Sequence, residues 1–143
     1  MTRTLVSALG LAAVVFTATT VLRAQQPGDA PVKTVATTLE IMKTMTIPLS
    51  DAVFNAGAEP PKTDEAWTKV REQAVALAEA GNLLMLGDRV IDRGDWMKMA
   101  RAKVDAADAV AKAATAKNAD QFSMAADALY ETCASCHNKY MKK

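Results

Sequence analysis

The sequence lacks most of what carries enzyme chemistry. Its 143 residues include only two cysteines and one histidine. They contain no nucleophile–base pair, phosphate-binding glycine loop or paired-carboxylate arrangement, so nothing supports a hydrolase or a transferase. Charge of one sign is also missing: 17 Lys+Arg against 16 Asp+Glu leave a net charge of +1, with no basic cluster. Neutralising phosphates needs a concentrated Lys/Arg surface, which excludes nucleic acid as a partner. No segment alternates like a strand. The length allows one compact domain, and 50% apolar residues, with Leu, Ala, Val and Met spread along the chain, exclude disorder.

What is present begins with a segment to be read separately. Arg3 gives a short positive start, Leu5 to Leu22 is uncharged and apolar, and Ala24 offers a small residue before Gln25. This pattern over 1–24 matches a secretory signal peptide. The apolar stretch is long enough for an uncleaved anchor, but Thr17, Thr19 and Thr20 weaken it as a span. Cleavage is therefore expected, though Leu22-Arg23-Ala24 matches the preferred site only in part, and no membrane span would remain after it. Export places the chain in the periplasm, an oxidising compartment where two free thiols do not stay free for long.

Residues 25–31 are polar and carry Pro and Gly, which marks a linker to a domain over 32–143. Four helical segments follow. The first runs from about Val32 to Asn55 with the stripe Val35, Leu39, Met42, Thr46, Leu49, Val53, and Pro48 inside it predicts a kink or a break. Pro60-Pro61 stops that helix, and Thr63 caps the next, whose stripe is Trp67, Val70, Ala74, Leu77, Gly81, Leu84. Gly87 to Gly94 reads as a solvated Asp/Arg loop, and Asp95 is the expected cap of a third helix reaching about Ala116. Its stripe is Met97, Ala100, Val104, Ala107, Ala111, Ala114. Asn118 with Gln121 resembles a capping box for the last helix, striped by Phe122, Ala126, Leu129, Cys133, Cys136, Tyr140. The pattern predicts an all-α fold, an antiparallel up-down-up-down four-helix bundle. So many alanines on the third helix require either a close helix approach or something bulky between the helices.

Both cysteines and the histidine form one run, Cys133-Ala134-Ser135-Cys136-His137. This is the signature of covalent c-type haem attachment. Cysteines three apart on a helix share a face, so both sulfurs can form thioethers to one porphyrin, and His137 projects beside them to bind iron as the proximal ligand. A structural zinc site would need a fourth ligand, which no second Cys or His cluster supplies. A thioredoxin-like dithiol would open a helix after a strand instead of closing the last helix of a helical chain. A disulfide between residues three apart on a helix is geometrically strained.

A helical bundle with Cys-x-x-Cys-His on its last helix resembles the class II cytochromes c, cytochrome c′ and its low-spin relatives, over Val32 to Lys143. The resemblance implies one haem c buried between the helices and held at Cys133, Cys136 and His137. In such proteins the first helix crosses the distal face of the haem. A thioether there completes a low-spin, electron-carrying iron. An aliphatic residue leaves the iron five-coordinate and open to nitric oxide or carbon monoxide. Met42 on the inward stripe is the expected sixth ligand, with Met45 the fallback; the plain alternative makes both core fillers among eight methionines. Many cytochromes c′ carry Arg four residues after the haem histidine, where this chain has Met141, which argues against proximal nitric-oxide chemistry.

The smaller features have ordinary readings. Tyr140 is expected to pack on the porphyrin, and Trp67 and Trp96 to close bundle ends. Lys139, Lys142 and Lys143 suit the helix C-terminal dipole, or would steer an acidic partner to the haem edge. The function expected is a periplasmic carrier of single electrons between redox partner proteins, not an enzyme. The alternatives are a five-coordinate gas binder and a haem-free helical interaction module. A homodimer through the first two helices, as cytochromes c′ often form, stays open, because Ile41 off the main seam suits either a partner or the haem.

Overall fold

A computed structural model of the chain describes residues 32–141. The leader expected over 1–24, the linker over 25–31, and Lys142 and Lys143 lie outside the described residues. Among those described, every regular element is helical. The first helix comprises α1 (Thr38–Ile41), a π-helical turn (Met42–Thr46) and α2 (Ile47–Ala58). It is followed by α3 (Asp64–Leu83), a 3₁₀ turn (Gly87–Arg89), α4 (Asp95–Thr115) and α5 (Ala119–Tyr140). Helix α4 packs on α3 and α5, and α2 also packs on both, an arrangement compatible with a helical bundle.

The first helix departs from expectation at its start. It opens at Thr38 and not near Val32, because Thr37 and Glu40 form a capping box: Thr37 Oγ1 accepts from the Glu40 N–H at 3.2 Å, and the Glu40 carboxylate accepts from the Thr37 N–H at 2.8 Å. The bond from the Thr37 N–H, foremost, and a second from the Thr37 hydroxyl hold the Glu40 carboxyl below its usual range. Val35 lies before the helix and is 85% exposed, and Leu39 is 60% exposed, so neither belongs to the core. Ile41 takes their place at 1%.

The reason lies at Pro48. Proline has no N–H, and its ring collides with the carbonyl four residues back in a regular α-helix. The chain widens one turn just upstream, where the Ile47 N–H donates to the Met42 carbonyl, and the proline then falls in the first turn of α2. The predicted break is thus a π turn within a continuous helix. Its wider step carries the buried face from Thr46 back to Ile41.

The caps of the other helices follow simple chemistry. Thr63 Oγ1 accepts from the Ala66 N–H, as the sequence predicts, and Asn118 Oδ1 accepts from the Gln121 N–H, the forward half of the expected capping box. Asp95 is not the cap of α4. Asp92 Oδ1 accepts from the N–H groups of Gly94 (2.9 Å) and Trp96 (3.1 Å), and Asp95 stands in the first turn. The Gly87–Gly94 segment is less solvated than expected. Arg89 is buried, and its guanidinium donates to the Leu86 and Ala36 carbonyl oxygens, which ties the entry of the first helix to this loop.

The buried side chains fall into two clusters. The larger contains Val53, Trp67, Leu77, Val110, Phe122 and Leu129, with Trp67 edge-on to Phe122 at 5.5 Å. Trp67 therefore closes its end as predicted. Ala107, Ala111 and Ala114 are buried here, so close helix approach absorbs most of the alanine stripe. The smaller cluster contains Ile41, Ala80, Leu84, Trp96 and Ala100. On α4 the buried face runs through Trp96 and Lys103, where the sequence pattern points to Met97 and Val104, which are only partly buried.

Candidate functional site

Beside the smaller cluster, the last turns of α5 form one wall of an apolar pocket. Cys133, Cys136 and His137 line it, opposite Met42 and Thr46 from the π turn, with Trp96, Met99, Ala100 and Lys103 from α4. The inner cavity measures about 30 Å³. An outer pocket of about 230 Å³, lined also by Leu39, Ile91, Tyr140 and Met141, shares Met42, Trp96, Cys136 and His137 with it. Both spaces are therefore bounded by these four side chains. The Ala100 end of α4 is where the alanine stripe leaves room.

The fold brings four of the sequence-selected residues together: Cys133, Cys136, His137 and Met42. Met45, the fallback, borders neither pocket; it packs partly buried on the smaller cluster. Both cysteines are free and half-buried. Burial pushes both thiols above their ordinary range, with the nearby Lys103 ammonium pulling Cys133 partly back and the Cys133 sulfur pushing Cys136 further up. They are therefore neutral S–H groups at neutral pH. Among the described residues no three His, Cys, Asp or Glu side chains gather closely enough to chelate a bare metal ion. The two sulfurs and the imidazole stand along one wall of the pocket.

Three further residues carry the site and were not singled out as part of it by sequence reasoning. Trp96 is buried in the pocket wall, its Nε1–H donating to the Leu84 carbonyl at 2.8 Å, so it is part of the site and not simply an end plug. Lys103 is 5% exposed and its ammonium donates to the Leu77 carbonyl oxygen at 2.8 Å; desolvation brings its pKa down to about 8. Thr46 Oγ1 is buried without any hydrogen-bond partner. The spacing of Lys103 two turns after Trp96, on the same helix face, was a usable signal, masked by the charge of lysine.

The mouth of the outer pocket is braced. Tyr140 lies edge-on to Trp96 at 5.2 Å, its hydroxyl donates to the Asp92 carboxylate, and Lys139 pairs with Asp95. The Asp92 bond pushes the Tyr140 phenol up to about 12 and draws Asp92 down. Lys139 is therefore a partnered charge. The chain matches no protein-family model, no curated protein and no solved structure.

Proposed function

We propose that this chain is an exported, periplasmic cytochrome of the class II type, an antiparallel up-down-up-down bundle carrying single electrons between redox partner proteins. One haem c would be bonded at Cys133 and Cys136, with His137 and Met42 offering nitrogen and sulfur to its iron. The observation that carries the reading is the convergence of a Cys-x-x-Cys-His run and the Met42 thioether on one apolar pocket.

The residues present fit such a group. Cys133 and Cys136 would hold it through thioethers, each sulfur and its hydrogen going to the two ends of one carbon–carbon double bond of the group, so that nothing would be oxidised or reduced. The neutral state of Cys133 and Cys136 keeps both hydrogens available. When bound, the haem supplies the one-electron couple at iron. Every other task falls to the chain. His137, tethered one residue from Cys136, offers its imidazole without an ordering cost. Met42 offers a soft sulfur that favours the ferrous state and raises the potential. The apolar lining excludes water, which limits reorganisation between oxidation states.

Absorption spectra of the exported protein, oxidised and reduced, with and without carbon monoxide, test the reading. Sharp low-spin bands with a methionine–iron charge-transfer feature and no carbon monoxide shift are expected. Met42→Ala should convert them to broad high-spin bands that shift with carbon monoxide, while Met45→Ala leaves them unchanged. High-spin bands in the unmodified protein would make it the five-coordinate gas binder, and a colourless product would reduce it to a haem-free module.

A further inference from the structure

Helix α5 is anchored unevenly along its length. Its buried side chains are Phe122, Ala126 and Leu129, and none of the residues 130–140 is buried. The Cys133–His137 run thus lies on a stretch of about three turns that extends past the last buried side chain of the helix. Along that stretch Cys136 and Tyr140 pack partly buried on the smaller cluster, and two polar links tie the last turn to the start of α4. The Lys139–Asp95 pair is about half exposed on both sides, where an ion pair contributes little. The Tyr140–Asp92 bond is of another kind. Asp92 uses Oδ1 for the Gly94 and Trp96 N–H groups at the start of α4 and Oδ2 for the Tyr140 hydroxyl at the end of α5, so one carboxylate joins two helix ends. The α4 end is itself fixed: Trp96 is buried, its Nε1–H donates to the Leu84 carbonyl, and Tyr140 lies edge-on to its ring.

Tyr140 follows Cys136 by four residues and His137 by three, so it neighbours both on the helix surface. The apolar contact with Trp96 resists separation of the two helices but not sliding, whereas a hydrogen bond is directional. A tether at Tyr140 therefore fixes the roll of the last turn about the helix axis, and with it the direction of the imidazole one turn back. We propose that Asp92 is a positioning residue for the site: through Tyr140 it sets the roll of the last turn of α5 and so holds the His137 imidazole toward the pocket that it lines with Met42. The anchoring belongs to the chain alone; its consequence for an iron ligand rests on the cytochrome reading.

The test compares the full exported chain, as isolated, with two conservative variants. Tyr140→Phe keeps the ring and loses the hydroxyl; Asp92→Asn keeps an oxygen for the α4 N–H groups and loses the charge that Tyr140 bonds. Amide hydrogen exchange from Cys136 to Met141 speeds about threefold in either variant, the loss of one half-exposed hydrogen bond, and no further in the two combined. In the oxidised, coloured protein the hyperfine-shifted proton resonances of the haem methyls, which follow the plane of the axial imidazole, change their spread in both variants. Thr63→Ala, which weakens the fold at the closed end, alters neither reading, so a general loss of stability is told apart from a lost tether. Last-turn exchange that stays unchanged, or effects that add in the double variant, overturn the proposal. So does faster exchange with an unaltered methyl pattern, because the tether would then hold the helix end without orienting the imidazole. A colourless product defeats the cytochrome reading alone, and the exchange measurement then decides the anchor by itself: faster exchange upholds it and unchanged exchange overturns it.

Discussion

The two core clusters are built on different terms. Around Phe122, Leu129 and Val53 the interior is wholly apolar and closed, with these three side chains entirely out of solvent. Around Trp96 and Ala100 the interior is edged by partly buried methionines, a thiol and an aromatic hydroxyl, it borders a cavity, and two residues of the cavity wall, Lys103 and Thr46, are buried polar groups. Close packing is the default in a protein interior. Where a chain gives it up and accepts buried polar groups, local stability falls.

Substitutions should break the molecule differently in the two regions. The largest effect is expected in the closed half, where Phe122→Ala removes a fully buried ring and costs about 3–5 kcal/mol in chemical denaturation. The spectra of the site should not change. If they do, the two halves are not independent.

In the open half the sign should reverse. The Lys103 pKa drops from 10.5 in the unfolded chain to about 8 in the folded one, so the folded state holds its proton less tightly. The cost is fully present below about pH 8 and disappears as pH rises to 10.5. Lys103→Met should therefore stabilise the chromophore-free chain at pH 7, by about 3 kcal/mol, because each pH unit separating the folded and unfolded values is worth about 1.4 kcal/mol. Stability of the unsubstituted chain should rise between about pH 8 and 10.5, and a flat profile there would mean that the amine is not buried as described.

Thr63→Ala removes the cap of α3 at the closed end and should cost about 1 kcal/mol, with no effect on the pocket. The smallest effect is expected at the mouth of the outer pocket. Tyr140 holds its proton up to about 12 in the folded state, against 10 unfolded, so its contribution is present below pH 10 and is lost between 10 and 12. Tyr140→Phe should flatten alkaline unfolding across that window; an unaltered alkaline limb would show that the Asp92 bond does not persist in solution.

The legible parts of this protein were those where neighbours in sequence are also neighbours in space. The Cys133-Ala134-Ser135-Cys136-His137 run carries its own geometry, because residues three and four apart share a helix face. The Thr63 and Asn118 caps are equally local. Other readings failed where a tertiary contact overrode the local pattern. The stripe through Val35 and Leu39 could not register the widened turn that Pro48 imposes, and Asp95 looked like a cap until Asp92 reached around to take that role. The stripe through Met97 and Val104 passed over Lys103 because charge usually marks the solvent side, whereas here the stem is buried and only the amine needs a partner.

Local spacing was enough to specify the helical class and the chemical identity of the candidate site: two thiols and an imidazole on one face of the last helix. Tertiary structure alone decided what stands opposite them. A helical period places Met42 on a face but not at a depth, and it is the packing of the π turn on α3 that sets Met42 and Thr46 on the pocket and leaves Met45 outside it. The same packing turns Lys103 inward. The physical reason is range: hydrogen bonds and side-chain spacing within a helix act over one or two turns, whereas a cavity exists only where three helices fail to fill the space between them.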